Sequence, residues 1–219
     1  MAVRSNASLA IVRSDSNSQS ALWRVPVVLM ARAQPDLFQS QPAWPDGLRY
    51  RAEVLTIAEE QALVAEIRTL PFKPFEFRGY LGRRRVVSFG WRYDYNASVL
   101  RQAAPVPDFL KPLRARAAGL AGLAPEAFEQ ALVTEYAPGA GIGWHRDRPQ
   151  FAEVAGVSLL SQCVLRFRRR RGEAWERRSL LAEPRSAYLL TGPARSEWAH
   201  SISAVEQLRY SVTFRRRTG

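Results

Sequence analysis

Residues 131–147 read ALVTEYAPGAGIGWHRD, and how this stretch is taken decides the fold. Its first five residues have the texture of a half-buried strand, and Pro138-Gly139 supplies a turn. His145 and Asp147 then stand two apart in a segment read as extended. Side chains at i and i+2 of a strand share a face, so one imidazole and one carboxylate are expected to converge.

Outward from this stretch the chain continues in the same style. Segments 156–160, 163–168, 174–181, 186–190, 197–202 and 208–216 are short, β-rich and separated by Gly, Pro or Ser turns. Evenly spaced short strands of this kind predict a sandwich or jelly roll. Upstream, GLRYRAEVL (47–55) suggests a strand. Thr56 and Glu59 have capping-box spacing at the start of a helix running to about Leu70, with Ile57, Leu63, Val64 and Ile67 on one face. Further helices are expected at 108–119 and 125–130. The prediction is an α+β fold, with helices buttressing a double-sheet β core.

Two other regions differ in composition. Residues 1–46 are rich in Ser, Asn and Pro and read as a poorly ordered leader, leaving 47–219 as the folded domain. Residues 71–95, PFKPFEFRGYLGRRRVVSFGWRYDY, are dense in aromatics and arginines and punctuated by Gly79, Gly82 and Gly90, as expected of short strands joined by turns.

Bulk properties narrow the function classes. No apolar run approaches the roughly 18 residues that cross a bilayer, so the reading is a non-membrane protein, expected to be monomeric. The single cysteine, Cys163, permits no intramolecular disulfide and fits a reducing, cytoplasmic setting. Net charge is +12, carried almost wholly by arginine, since Lys73 and Lys111 are the only lysines. Arginine grips phosphate in bidentate fashion and stacks on bases, so a nucleic-acid partner is expected.

The chain has one other histidine, His200, with 52 residues between it and Asp147. Two histidines and one carboxylate on one face form the facial set that holds non-haem Fe(II) and leaves positions open. LRYSVTFR (208–215) adds a second signal. Alternation puts Arg209, Ser211, Thr213 and Arg215 on one face and Tyr210, Val212 and Phe214 on the other. If the apolar face is core, the two arginines point into whatever the other face encloses and need anionic partners there. A protein carboxylate or a bound dicarboxylate would each serve.

The ordered set YAPG-x5-HRD, GPARSEWAH and RYSVTFR resembles the AlkB family of Fe(II)- and 2-oxoglutarate-dependent dioxygenases, over residues 48–216. The resemblance implies a double-stranded β-helix, with His145, Asp147 and His200 as Fe(II) ligands. It implies that Arg209 pairs with the distal carboxylate of 2-oxoglutarate, that Arg215 lies near its chelating end, and that Thr134, Tyr136 and Ser211 support it. Some members have Asn where Thr134 and Ser211 stand here; both replacements still hydrogen-bond.

The implied reaction consumes O2 and 2-oxoglutarate, with ascorbate as a reductant in vitro, and hydroxylates a C–H bond. On a base N-alkyl group the hydroxylated product releases an aldehyde and restores the base. Such a dealkylase of single-stranded DNA, acting in DNA repair, or of RNA is the first expectation. Hydroxylation of modified tRNA bases or of protein side chains comes next, and a non-catalytic nucleic-acid-binding jelly roll last. In the family a segment before the jelly roll forms a lid over the base, the position of 71–95 here. Tyr80, Phe89, Trp91 and Tyr93 are therefore candidates to stack on a base, and Arg83, Arg84 and Arg85 to hold phosphates. Arg166 and Arg168 of RFRRRR are candidates to track a backbone, and Arg148 to meet substrate. Some DNA-repairing members carry Asp two positions beyond the metal-ligand Asp, where this chain has Pro149.

Overall fold

The computed structural model of the protein describes residues 44–77, 79–95 and 97–218. The expected leader falls outside the described residues except for its last three. The strands are β1 (Leu48–Arg51), β2 (Lys73–Phe77), β3 (Tyr80–Phe89), β4 (Trp91–Asp94), β5 (Val99–Gln102), β6 (Gln130–Tyr136), β7 (Ile142–His145), β8 (Phe151–Leu159), β9 (Cys163–Arg171), β10 (Ala174–Ala182), β11 (Ala187–Leu190), β12 (Ala199–Ile202) and β13 (Arg209–Arg217). The α-helices are α1 (Ile57–Arg68), α2 (Lys111–Ala121) and the short α3 (Gly192–Ser196).

A seven-stranded sheet has the order β1-β11-β8-β13-β6-β3-β2, and a four-stranded sheet the order β10-β9-β12-β7. Every neighbouring pair is antiparallel. This is the expected α+β jelly roll, with two cores. On one face of the large sheet, Val133, Ala155, Val157, Leu189, Tyr210, Val212 and Phe214 pack with Val64 and Ile67 of α1 and Leu113 and Ala117 of α2. On the other face, Tyr136, Val154, Tyr188 and Leu190 meet Leu165, Phe167, Leu180 and Ile202 of the small sheet.

Strand β13 is central, pairing with β6 on one side and β8 on the other. The alternation read from its sequence holds: Tyr210, Val212 and Phe214 face the helices, which leaves Arg209, Ser211, Thr213 and Arg215 between the sheets. Burying Val212 and Phe214 completely contributes about 1.5–3 kcal/mol each. The register cannot slip by one residue without driving two arginines into the apolar helix-side core.

Helix α1 starts where its capping box predicts. The Glu59 amide donates to Thr56 Oγ1 at 3.2 Å, and the Thr56 amide donates to Glu59 Oε2 at 2.8 Å. Glu59 also pairs with Arg116 of α2, tying the two helices together. Arg116 foremost, and the Thr56 amide next, hold the Glu59 carboxyl down to about 2 from its ordinary 4.5. A depressed carboxylate stabilises the fold fully above its unfolded pKa. That contribution is therefore expected to fade as pH falls from about 4.5 towards 2. Thr56→Ala should cost about 1 kcal/mol in denaturant melts at neutral pH, with a smaller difference from wild type in acid.

Three sequence expectations need correction. Residues 125–130 are not a helix: Pro125–Ala127 form a single 3-10 turn, and Gln130 already begins β6. The strand expected over 197–202 begins only at Ala199, and the GPARS stretch ahead of it is a short helix, α3, with Pro193 in its first turn. Asp147 lies outside strand structure, two residues past the end of β7.

Candidate metal centre

The small sheet brings the two histidines together. Strands β7 and β12 pair so that His145 stands directly opposite His200, with ring centroids 4.3 Å apart. His200 is also in register with Phe167, a buried residue of the inter-sheet core, so both imidazoles face inward. His145 Nδ1 lies 2.9 Å from the Gly143 carbonyl, which can only accept; Nδ1 therefore carries the proton and Nε2 is left as the ligand atom.

Asp147 joins them for a reason its spacing did not reveal. With no ladder to hold it, the carboxylate is anchored by Arg215 of β13, whose Nε and Nη2 lie 3.1 and 3.0 Å from Oδ1. Its Oδ2 is left 3.5 Å from His200 Nε2. One ligand atom from each of His145, Asp147 and His200 then lies within 4.8 Å of the others. Arg215 takes a protein carboxylate as its partner, one of the two anions its strand position allowed, and also donates to Gln130 Oε1 at 3.1 Å.

The protonation states suit a divalent cation. Burial on its own would raise the Asp147 pKa, but Arg215, the two histidines and Arg195 outweigh it and hold the carboxyl well below the usual range. Burial pushes His200 down to about 4 against the pull of Asp147. At neutral pH the cluster therefore offers an ionised carboxylate and a neutral buried imidazole, the forms a metal binds.

Arg209 poses a separate electrostatic problem. It is fully buried, its Nε donates to Ser158 Oγ at 3.0 Å, and its guanidinium carbon lies 4.9 Å from the Tyr136 ring centroid. Both Nη atoms are buried with no hydrogen-bond partner among the described residues. An uncompensated buried guanidinium is costly, and two parallel N–H donors fit a carboxylate. Tyr136 is opposite Arg209 in the ladder, while Thr134 and Ser158 are both opposite Ser211; all three predicted supports therefore line the same inter-sheet face.

Residues missed by sequence reasoning complete the wall. Ser158 orients Arg209, and Gln130 holds Arg215. Arg195 of α3 donates through Nη2 to the carbonyls of Arg148 and Phe151, both at 2.5 Å, clamping the loop that carries Asp147. Ser158 and Gln130 could have been found by extending the β6 and β8 alternation; nothing local marks Arg195.

Tyr188 is buried beside this wall, and its phenol is pushed up chiefly by that burial. It fits because Gly156 has no side chain: a Cβ there would lie 2.3 Å from the Tyr188 ring. Gly156→Ala should lower the melting temperature and weaken 2-oxoglutarate binding together, at a cost of about 1–3 kcal/mol. Tyr188→Val in the same chain should restore much of the stability, as differential scanning calorimetry would show.

The lid-like segment is only partly turned to the site. Arg84 stands opposite Tyr136, stacks on Phe75 at 3.6 Å and has its pKa lowered, first of all by burial. Arg148 reaches back over Tyr93 at 4.8 Å and Tyr95 at 5.4 Å, joining β4 to the loop after Asp147. Trp91 is half-buried beneath Arg217, at 4.1 Å. Arg83 is exposed beside Gly139, and the Tyr80 side chain lies outside the described part.

Two candidates, Phe89 and Arg85, are corrected. Phe89 is a buried member of the helix-side core, where no base can stack. Arg85 points to that same side and is held by Glu135 through bonds of 2.7 and 2.9 Å. Arg166 and Arg168 lie on the outer face of the small sheet, because the intervening Phe167 points in beside His200.

A cavity of about 680 Å³ adjoins Asp147, lined among others by Arg146, Arg148, Thr191, Arg195 and Ser196. A jelly roll that holds two histidines and a carboxylate together, and on the same inter-sheet wall a buried guanidinium with no partner among the described residues, fits a metal- and 2-oxoacid-using oxygenase. Residues 47–215 match the 2OG-Fe(II) oxygenase superfamily, and the chain belongs to it.

Within that superfamily it is AlkB-like. It is 28% identical over 71% of its length to the "Alkylated DNA repair protein ALKBH8 homolog" of Arabidopsis thaliana. It is 27% identical over 74% of its length to the "tRNA (carboxymethyluridine(34)-5-O)-methyltransferase ALKBH8" of Mus musculus. The chain spans 50% of the first relative and 25% of the second. Its fold is shared with OsALKBH1, at a TM-score of 0.61 and 16% identity, over 81% of this chain and 99% of that one. No helix among the described residues is long and apolar enough to cross a membrane.

Proposed function

We propose that this protein is an Fe(II)- and 2-oxoglutarate-dependent dioxygenase that oxidises a carbon substituent on a nucleic-acid base. The observation that carries this reading is the partnerless Arg209 guanidinium on the wall that also holds the His145, Asp147 and His200 cluster. The cluster would hold Fe(II), and Arg209 would take the far carboxylate of 2-oxoglutarate. Bound together with dioxygen, these groups would supply hydroxylation of a C–H bond, with succinate and carbon dioxide as co-products.

The chain's own part is positional. Arg215 keeps Asp147 ionised and turns one oxygen towards the histidines, while the Gly143 carbonyl fixes the tautomer of His145. Ser158 and Tyr136 hold Arg209 in place. Arg195 fixes the loop from Arg148 to Phe151. Arg148 lines the cavity and stacks on Tyr93 and Tyr95, a cation backed by aromatic rings, chemistry suited to a base and its phosphate.

The two relatives' names both carry a modified nucleic acid: alkylated DNA in one, a tRNA uridine in the other. Pro149, where some DNA-repairing members carry Asp, favours RNA as the first substrate class. Oxidative dealkylation of alkylated single-stranded DNA is the second reading, carried by the Arabidopsis name.

Mass spectrometry separates them. Total tRNA, and DNA oligonucleotides carrying 1-methyladenine or 3-methylcytosine, are incubated with the protein, Fe(II), 2-oxoglutarate and ascorbate, with an iron-chelated control. Iron-dependent gain of oxygen on a tRNA base supports the first reading, and loss of the methyl group from DNA the second. Iron-dependent succinate with no change in any nucleic acid would move the substrate to protein.

A further inference from the structure

The outer face of the small sheet, turned away from the metal cluster, carries a ladder of alternating arginine and tryptophan. Arg168 lies between two indoles, 4.4 Å from the Trp144 ring and 4.5 Å from the Trp175 ring. Arg166 covers Trp144 at 5.3 Å and Arg170 covers Trp175 at 4.6 Å. The register sets Arg177 opposite Arg168 and Trp175 opposite Arg170, so the ladder crosses from β7 over β12 and β9 to β10.

Charge on this face is one-sided. The four strands read IGWH, CVLRFRRRR, AWERRSLLA and AHSI and hold a single carboxylate, Glu176. Glu176 is in register with Arg169 and bonds to it at 2.8 Å, on the other side of the pleat. Arg169 also takes Glu197 at 2.9 Å. The inward-pointing arginine is thus neutralised twice. Among the described residues, Arg166, Arg168, Arg170 and Arg177 pair with no carboxylate, and Arg168 Nε is buried with no hydrogen-bond partner. Arg166 Nε donates only to the Ser201 hydroxyl, and Arg170 Nη1 only to the Glu173 carbonyl.

We propose that this ladder is a docking surface for the sugar–phosphate backbone of a nucleic acid, outside the active site. Planar guanidiniums held against indoles are prepared to fork onto phosphates, and half-buried indoles offer apolar surface to unstacked bases. An ordinary solvated face would intersperse acidic residues; this one excludes them. Trp144 is also the neighbour of His145 on β7, so the docked strand leads to the edge of the metal cluster. The proposal rests on the nucleic-acid reading of the substrate, which it deepens.

The test compares the full chain with the Arg168→Gln, Arg170→Gln, Arg177→Gln variant. Binding of a fluorescent 20-nucleotide single-stranded RNA is followed from 50 to 300 mM salt. Thermal stabilisation by Mn(II) and 2-oxoglutarate serves as the control for an intact fold and site. The variant should bind RNA at least tenfold more weakly, and its log–log salt slope should fall by about 2, since each phosphate contact on a single strand is worth about 0.7. An unchanged slope in a variant that still responds to Mn(II) and 2-oxoglutarate would overturn the ladder and leave the dioxygenase reading standing. Wild-type protein that binds no RNA would overturn both. Equal, ladder-dependent binding to polyglutamate or to phosphatidylserine vesicles would overturn the assignment to nucleic acid. Ladder-dependent RNA binding without oxidation of any base would uphold the surface and refute the proposed substrate. A variant that fails to fold would be replaced by Arg170→Gln, Arg177→Gln, for which a slope change of about 1.4 is expected.

Discussion

Arg209→Met should make the protein more stable without its cosubstrate and nearly unable to use it. The wild-type guanidinium is fully buried with both Nη atoms unpartnered, a state kept at the expense of stability. Methionine fills similar space without a charge, so the melting temperature with no ligand should rise by a few degrees. The 2-oxoglutarate requirement should rise on the order of 100-fold or more, because a desolvated charge pair is worth about 2–5 kcal/mol. Calorimetry and a succinate assay read the two effects separately. A residue filled only for structural reasons would lose stability on the same change. Arg209→Lys should restore little, since a point charge cannot fork onto a carboxylate.

His145→Ala is expected to abolish turnover, with a fall of at least about a thousandfold in iron-dependent succinate formation, while leaving the melting temperature within a few degrees. The ring is half-buried at the end of a short strand, and among the described residues its one hydrogen bond is to the nearby Gly143 carbonyl. Little else depends on it. Asp147→Ala should be equally inactive for a less simple reason. It frees Arg215 inside the protein, and an unpaired buried charge costs about 3–5 kcal/mol. The contrast between the two variants is itself informative: both inactive, only the aspartate variant strongly destabilised. Retained turnover in His145→Ala would remove the histidine from the metal site.

Much of this arrangement could be read from the chain because strands report their faces. The alternation of 208–215 separated the apolar half of β13 from its arginines, and both halves fall where expected. Scarcity helped as well: with two histidines in the chain, the partner of His145 had one candidate. Asp147 reached the right place by a different route, since its spacing from His145 implied a strand that ends at His145. Arg215 and Arg195 position it from 68 and 48 residues away in sequence, and no local pattern carries such contacts. Phe89 and Arg85 failed for a related reason. Aromatic and basic residues in a lid segment alternate between the two sides of β3, and only the pairing with β6 decides which side meets the site. Arg84 falls on that side and Arg85 on the other.

The most direct test is an anaerobic titration of 2-oxoglutarate into wild-type protein, with and without one equivalent of Fe(II), read by calorimetry and by the visible absorption of an iron-chelated 2-oxoacid. One 2-oxoglutarate is expected to bind per chain, far more tightly with the metal than without it, and the absorption should be missing in His145→Ala and shifted to much higher 2-oxoglutarate in Arg209→Met. Binding that ignores the metal, or the same absorption in His145→Ala, would contradict the assignment of this cluster as the iron and 2-oxoglutarate site.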